Sequence, residues 1–402
     1  TIISVNLNEV VVSTPFKESL KNNVLKVNKL NFKTLNNTKS INFSSSLLEV
    51  PGVSLITTGP GISKPVIRGL SSNRVIVFNQ YMRYENQQWG AEHGMDISGF
   101  GVESVELIKG PMSVLYGSDA IGGVLYVNPD SYSNEDMEVE IGSFYNSNYS
   151  GFTNNLGVKG NLNSLSYLIQ GSMVDNKDFE TPKEKVESTY YENKDFKLGL
   201  GYESKKFISD FRFNYSKTKV GIPHGEEDHD EHGDEDHDDE DHDDHGHGNL
   251  IHANYIQENA EFDGYEIEFG RTVDLGAGEL TLSFGRDVTN AQFSDGHNVP
   301  RINPARNIYS LSYAQNDLTF KLNLKDVEKQ SSFGEGETAT DGYQMLNSRL
   351  TKTYEISGKG VLKISLFGNN LLDEAARNHS SFVKDEVPLP GKNYGMKFNL
   401  TF

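Results

Sequence analysis

The sequence contains no cysteine, a deficit of basic residues and no long apolar run. Without cysteine there is no disulfide, no thiolate zinc site and no cysteine nucleophile. The 402 residues include 37 Lys and Arg against 57 Asp and Glu, and the net charge of −20 argues against binding to nucleic acid. The longest apolar runs fall far short of the ~18 residues that a membrane-spanning helix needs. A membrane protein with this sequence would therefore be a β-barrel.

Motifs that would indicate catalysis are also missing. The chain has no Gly-x-Ser-x-Gly elbow, no His-Glu-x-x-His helix and no Gly-x-x-x-x-Gly-Lys loop. We therefore expect neither an enzymatic activity nor a catalytic cofactor. The chain starts at Thr1 without a charged segment followed by an apolar one, so we also expect a mature or trimmed N-terminus.

From about Met137 to the end, apolar and polar residues alternate with the period of β-strands. At the C-terminus one face carries Tyr394, Met396, Phe398, Leu400 and Phe402. Such alternation fits both a soluble sandwich and an outer-membrane barrel, and periodicity cannot choose between them. Long polar connections and aromatic segment ends favour an antiparallel membrane β-barrel. Residues before about 130 instead have short apolar runs between Gly- and Pro-rich turns, which predicts a small α+β domain.

Four ordered motifs in this first domain carry a family resemblance. They are Leu-Leu-Glu-Val-Pro-Gly-Val at 47–53, Pro-Val-Ile-Arg-Gly-Leu at 65–70, Val-Glu-Leu-Ile-Lys-Gly-Pro at 105–111 and Leu-Tyr-Gly-Ser-Asp-Ala-Ile-Gly-Gly-Val at 115–124. The domain resembles the plug of TonB-dependent outer-membrane receptors. The resemblance implies a plug at 15–133, a β-barrel at 134–402, and a location in the outer membrane of a Gram-negative bacterium, in contact with its lipid.

The same resemblance assigns roles to residues outside the four motifs and within them. The segment 1–14 contains Glu9, Val10, Val11 and Val12, which look like the energy-coupling box that lends a strand edge to the TonB protein, although an ordinary first plug strand would read similarly. A latch between plug and barrel would use Arg68, Glu106 and Lys109. The family has arginine where this chain has Lys109, and a lysine offers a point charge in place of a bidentate fork.

The predicted barrel is short for the family. The resemblance implies 22 strands, which at about 10 residues each need roughly 220 residues, and we find only 12 to 14 candidate strands. The central barrel of the family is therefore expected to be missing, with a junction near residues 252–263. We predict that so few strands cannot enclose the plug. Either the wall is an open sheet with exposed edges, or the plug lies partly outside it.

A low-complexity loop at 223–249 concentrates histidine and acid. Residues 224–244 hold 14 Asp and Glu and no Lys or Arg. Its histidines are His224, His229, His232, His237, His242, His245 and His247. Imidazole binds Zn²⁺, Cu²⁺ and Ni²⁺, so the loop predicts a flexible collector of such ions, the alternative being a solvated acidic loop.

Glu92 and His93 form a second candidate metal site. They lie in a plug segment that faces the substrate side in the family, and the zinc-uptake branch has consecutive acid and histidine ligands at this place. The structural alternative is an ordinary pair of polar residues. Together these features predict a TonB-dependent receptor for a divalent transition metal, with zinc ahead of copper and nickel. A receptor for haem or a metal chelate and a surface metal-binding protein without transport remain as alternatives.

Overall fold

The computed structural model describes residues 27–32, 43–59, 61–88, 94–95, 97–223, 258–356, 358 and 360–402. Three of the predicted features lie outside these residues. They are the energy-coupling box at 9–12, the metal-ligand pair at 92–93 and the seven histidines at 224–247. The latch residues and the predicted strands lie within the described part.

The first domain is built around a five-stranded sheet. The described strands of this domain are β1 (Val27–Asn31), β2 (Val53–Thr57), β3 (Ser63–Ile67), β4 (Val75–Asn79), β5 (Met82–Tyr84), β6 (Val102–Ile108) and β7 (Gly123–Pro129). The sheet has the order β1-β6-β7-β4-β5, in which β4 and β7 are parallel and the other pairs antiparallel, while β2 and β3 form a separate hairpin. The described helices are short 3-10 helices at Ser44–Glu49, Ser72–Arg74, Asn86–Gln88, Pro111–Tyr116 and Ser118–Ile121.

The core of this domain lies against the inner strands of the sheet. Leu107 of β6, Leu125 of β7 and Val77 of β4 are almost completely buried and pack in one apolar cluster with Leu47 of the first 3-10 helix. Strands β6 and β7 are buried at all but one position each because they are covered on both faces, and β7 is also a nearly continuous apolar run. The domain therefore has a hydrophobic core of its own.

The second part is a single antiparallel sheet of 12 strands. The strands are β8 (Glu138–Asn146), β9 (Gly151–Leu162), β10 (Leu165–Asn176), β11 (Tyr191–Glu203), β12 (Ile208–Val220), β13 (Ala260–Asp274), β14 (Glu279–Phe293), β15 (Arg306–Gln315), β16 (Leu318–Val327), β17 (Tyr343–Ile356), β18 (Gly360–Asn369) and β19 (Asn393–Thr401). The C-terminal segment predicted from periodicity corresponds to β19, which ends at Thr401, one residue before Phe402. The predicted domain boundary lies between Pro129, where β7 ends, and Glu138, where β8 begins.

The order of the described strands is that of an open sheet. It runs β12-β11-β10-β9-β8-β19-β18-β17-β16-β15-β14-β13, so that the last strand pairs with β8. Strands β12 and β13 are consecutive in sequence, yet they form opposite edges among the described strands. The fold class is confirmed, and the wall is the open sheet that was one of the two expected outcomes.

The faces of the strands distinguish a membrane barrel from a soluble sandwich. In β19, Tyr394 and Phe398 are 53% and 43% exposed, whereas Lys397 between them is 9% exposed. The apolar face of the sheet therefore points outward and the polar face points toward the plug, as in outer-membrane barrels. No helix among the described residues is long and apolar enough to span a membrane, a finding that concerns helices alone.

The connections between the strands differ strongly at the two ends of the sheet. At one end they are the short turns 163–164, 204–207, 275–278, 316–317 and 357–359. At the other end, apart from the four-residue connection 147–150, they are longer, at 177–190, 221–259, 294–305, 328–342 and 370–392, and we call this the long-loop end. The connection that contains the His-rich segment therefore belongs to the long-loop end.

Candidate functional site

The plug is joined to the sheet by a carboxylate on the edge strand β13. Glu266 accepts a hydrogen bond from Arg68 Nε at 2.8 Å through one oxygen and from Lys109 Nζ at 2.6 Å through the other. Arg68 follows strand β3 with a φ of 52°, a left-handed conformation that is uncommon outside glycine. Both predicted latch cations thus meet one barrel carboxylate, whose identity the sequence did not indicate.

The two cations of this latch differ in their surroundings. The side chain of Lys109 is 1% exposed and also donates to Pro51 O at 2.8 Å, whereas the side chain of Arg68 is 46% exposed. Burial lowers the pKa of Lys109, and the nearby charge of Glu266 opposes that shift. Because a buried ion pair loses more when one partner is removed than an exposed pair does, Lys109 is the stronger half of the latch.

Glu106 has its identified ion pair within the plug. Its carboxylate is fully buried and lies 3.9 Å from Lys29 Nζ, across the pairing of β6 with β1. Glu106 thereby links two strands of the plug sheet. Its predicted part in the latch stays a prediction.

A second ion pair holds the plug turn at 50–53, and sequence reasoning missed it. Arg306 of β15 binds Asp287 of β14 and donates to the carbonyl oxygens of Val50, at 3.1 Å, and Val53. Asp287 in turn accepts from the backbone N–H of Gly52 at 2.7 Å. Gly52 has a φ of 74°, and a Cβ there would lie 1.9 Å from a Glu266 oxygen, so that glycine is required between the two ion pairs. Only the tertiary contact of β14 and β15 with the plug reveals this cluster.

A cavity of about 310 Å³ lies between the plug and the long-loop end. The plug contributes the hairpin residues Leu55 and Thr57, and the loop 370–392 contributes Arg377 and His379. Asn378 and Ser380 of that loop donate hydrogen bonds to Leu55 O, both at 2.8 Å, and fix the loop on the hairpin. The walls are asparagine, tyrosine and apolar side chains, and the cations Arg377, Arg306 and Lys325 outnumber the single acid, Glu49.

His379 is the buried histidine of this region. Its Nδ1 lies 2.8 Å from Thr340 Oγ1, and its Nε2 lies 3.8 Å from Glu337 Oε2. Burial lowers the pKa of His379, Lys384 and Arg301 lower it further, and Glu337 opposes them. The neutral imidazole therefore joins the loops 328–342 and 370–392 beside the cavity.

The described residues contain no group of three or more His, Asp or Glu side chains placed to hold a metal ion. His297, in the loop 294–305, is exposed and lies 3.3 Å from Asp295. The predicted ligands Glu92 and His93 and the seven histidines of the loop lie outside the described part of the chain. Their assignment as metal ligands stays a prediction.

Comparison with known proteins agrees with this architecture. Residues 19–124 match the TonB-dependent Receptor Plug Domain family. The vitamin B12 transporter BtuB of Photobacterium profundum is 30% identical over 119 residues, which are 29% of this chain and 20% of that transporter. The chain therefore matches about a fifth of the length of this curated relative.

Two solved structures have the same fold over nearly the whole chain. The copper transporter OprC superposes with a TM-score of 0.68 at 11% identity, over 98% of this chain and 99% of that one. The FrpB iron transporter from Neisseria meningitidis gives 0.66 at 11% identity, over 94% and 99%. At this identity the likeness concerns the fold.

The fold and the plug together define the class. The first domain is a TonB-dependent receptor plug domain, and the chain has the fold of the TonB-dependent outer-membrane receptors. The protein is located in the outer membrane of a Gram-negative bacterium, as the sequence predicted. The proteins to which it is similar are transporters and receptors.

Proposed function

We propose that this protein is a TonB-dependent receptor that takes up a divalent transition metal, with zinc as the first candidate and copper or nickel as the next. The observation that carries the proposal is a plug held to a membrane sheet by buried ion pairs at Glu266 and Asp287. Such a plug must be displaced or rearranged by force for a substrate to pass, which requires an energy-transducing partner. The reaction needs no covalent chemistry and no catalytic cofactor.

The energy-coupling segment is assigned to Glu9, Val10, Val11 and Val12. A β-branched run flanked by polar residues suits strand donation to TonB. The test measures uptake of radioactive zinc by cells that depend on this protein. Val10→Pro removes a backbone donor and a strand conformation, so uptake should stop while zinc binding at the cell surface persists. Val12→Ile is the matched control and should retain uptake.

This experiment also separates transport from the alternative of a surface metal-binding protein. If Val10→Pro and a deletion of residues 9–12 leave uptake unchanged, the transport proposal fails. A protein that binds zinc without importing it in any variant would support the surface-binding alternative.

The His-rich segment supports the choice of a dication. Its 14 acids attract cations, and histidines two to five residues apart form several weak chelates. Protonated imidazole cannot ligate a metal, so binding of Zn²⁺ to the peptide 224–247 should be much weaker at pH 5 than at pH 7.5. Equal affinity at the two pH values would mean that carboxylates alone bind the ion.

Glu92 and His93 are proposed as two of about four ligands of a tighter site, as in the zinc branch that the sequence resembles. Deleting 224–247 should then lower capture at scarce zinc and leave one stoichiometric ion. His93→Ala should remove that ion and retain the weaker binding of the loop. Calorimetry of both variants decides the assignment, and retention of the tightest zinc by His93→Ala would refute it.

We also propose that the central barrel of the family is absent from this chain between β12 and β13. The supporting observation is that these consecutive strands form opposite edges of the described sheet. Such a deletion would remove barrel ligands, so the metal site should be weaker than that of a relative with 22 strands. The mass of the native protein in its own membrane tests this proposal.

The cavity at the long-loop end favours a second candidate substrate. Its amides and its apolar walls, with Arg377 and Lys325 among the lining side chains, suit an anionic metal chelate better than a bare dication. If the substrate is a chelate, Arg377→Ala should weaken its binding and leave binding of free zinc unchanged. An equal loss for both substrates would argue against this alternative.

A further inference from the structure

The two edge strands of the large sheet are exposed on both faces. In β13 every residue except Glu266 is exposed, and in β12 all but Arg212, Thr218 and Val220 are exposed. The neighbouring strand β11 alternates between buried and exposed residues instead. The backbone N–H and C=O groups along an exposed strand edge can form hydrogen bonds with a further strand. In lipid, where no water is available, these groups must be paired. Among the described strands, both edges therefore lack a pairing partner on one side.

The plug contacts both edges and keeps them apart. Gln80 of the plug exchanges two hydrogen bonds with Asn214 of β12, at 2.9 and 2.7 Å, and the latch joins the plug to Glu266 of β13. A closed ring of 12 strands is too narrow for a plug with a five-stranded sheet, because barrel width grows roughly in proportion to strand number. Direct pairing of β12 with β13 is therefore excluded while the plug is in place.

The outward faces of the two edges carry opposite charges at the long-loop end. Lys217 and Lys219 lie at that end of β12. Lys217 is the cross-strand neighbour of Lys194 on β11, whereas Lys219 lies opposite Glu192 at 3.7 Å. Glu261 and Asp263 lie at the corresponding end of β13. Since the like charges of Lys217 and Lys194 repel, β12 favours an acidic neighbour at Lys217, and the two acids of β13 favour a basic neighbour.

We propose that these edges are a docking surface for antiparallel membrane strands of a second, plug-free polypeptide chain. The strand that it adds beside β12 carries acidic side chains near the long-loop end, and the strand beside β13 carries basic ones. A second copy of this chain does not fit, because it would bring its own plug. A ring made of two such sheets would be only slightly wider than the family's 22-strand ring, which encloses one plug. The ring of two sheets would have to enclose two plugs.

The absence of cysteine allows a direct test with the full chain in lipid vesicles. Tyr215 is exposed on β12 and Tyr265 is exposed on β13. In the test, the double variant Tyr215→Cys, Tyr265→Cys is oxidised with no other polypeptide added. We expect a monomer with two free thiols. A disulfide within one chain would show that the barrel closes on itself, and a disulfide between chains would show that copies pair. Either result overturns the proposal.

A defined peptide tests whether an edge accepts a strand with the expected charge. The probe has the sequence of residues 260–274 with cysteine in place of Tyr265, and it is offered to the Tyr215→Cys chain. We expect a disulfide adduct, and about fivefold less of it when Glu261 and Asp263 of the peptide are replaced by lysine. Lys217→Glu with Lys219→Glu in the chain should invert this preference.

The control places the cysteine at Leu200, an exposed position on β11, which is paired on both sides. No adduct should form there. An adduct at Leu200→Cys equal to that at Tyr215→Cys, equal yields with both peptides, or no adduct at all would overturn the proposal.

Discussion

At the scale of single residues, the latch shows how a lysine serves where the family has arginine. The loss of a bidentate fork is offset by geometry, because Arg68 and Lys109 bind separate oxygens of Glu266 and Lys109 gains a backbone carbonyl as a further acceptor. Arg68 reaches this carboxylate from a backbone conformation with a positive φ of 52°. The latch therefore depends more on Glu266 than on either cation alone.

We predict that Glu266→Gln lowers the free energy of unfolding by about 3 kcal/mol, because the buried Lys109 keeps its charge and loses its counterion. Arg68→Gln is the matched control and should cost less than about 1 kcal/mol, since Arg68 is half-exposed and Glu266 keeps Lys109. Urea denaturation in detergent measures both values. Similar losses in the two variants would mean that burial does not set the strength of the latch.

His379 gives the long-loop end a pH dependence of known sign. Its folded pKa lies below its usual value, so the folded state disfavours the proton that the unfolded chain accepts near pH 6.5. Its contribution to stability is complete above about pH 6.5 and is lost as the pH falls through the folded pKa. We predict faster amide hydrogen exchange in the loops 328–342 and 370–392 at pH 5 than at pH 7.5, after correction for intrinsic rates.

His379→Gln should remove this difference in exchange between the two pH values. The control His297→Gln changes an exposed histidine of another loop and should leave the difference unchanged. The comparison of the two variants cancels the titration of the remaining histidines. A difference that survives in His379→Gln would assign the pH effect to other groups.

At the scale of elements, the two faces of a strand have different surroundings, because the apolar face points outward and the polar face points toward the plug. We predict that Phe398→Arg on the outward face of β19 costs about 2 to 4 kcal/mol in a bilayer, the range for arginine near the membrane centre. Asn399→Arg is the adjacent control, because Asn399 faces a cavity of about 230 Å³ that Glu138 and Glu140 also line. Equal losses of folding free energy in lipid vesicles would contradict the assignment of the faces.

At the scale of the whole molecule, the seam between β8 and β19 joins the two halves of the sheet. It runs from the pairing of Gly395 with Asn146 to that of Thr401 with Glu140. We predict that a chain cut at a protease site inserted after residue 235 stays together as two fragments in detergent. The seam and the plug contacts to β14 and β15 hold the halves without the covalent connection. Size-exclusion chromatography before and after denaturation measures this association.

Gly395→Val provides the destabilised control for that experiment. A Cβ at this position would lie 2.2 Å from Tyr145 O across the seam and 2.0 Å from the ring of Phe367. The cut chain with this substitution should separate at a lower urea concentration than the cut parent. If the cut parent separates without denaturant, the seam does not hold the halves together.

The sequence by itself determined the strands, the plug and the outer-membrane location. Alternation such as that of Tyr394 to Phe402 and motifs such as 105–111 are local signals, because the pleat and the tight turns impose their pattern on neighbouring residues. The count of 12 to 14 strands agrees with the 12 described, for the same reason. The candidate metal ligands were also chosen by local pattern, and their roles stay predictions.

Only the tertiary structure decided which groups meet across the chain. Glu266 is 157 residues from Lys109, and Arg306 is 253 residues from Val53, so that neither pairing leaves a local trace in the sequence. The outward direction of the apolar face and the two open edges were settled in the same way. Each depends on how separate strands pack around the plug, and packing between distant segments is set by the fold as a whole.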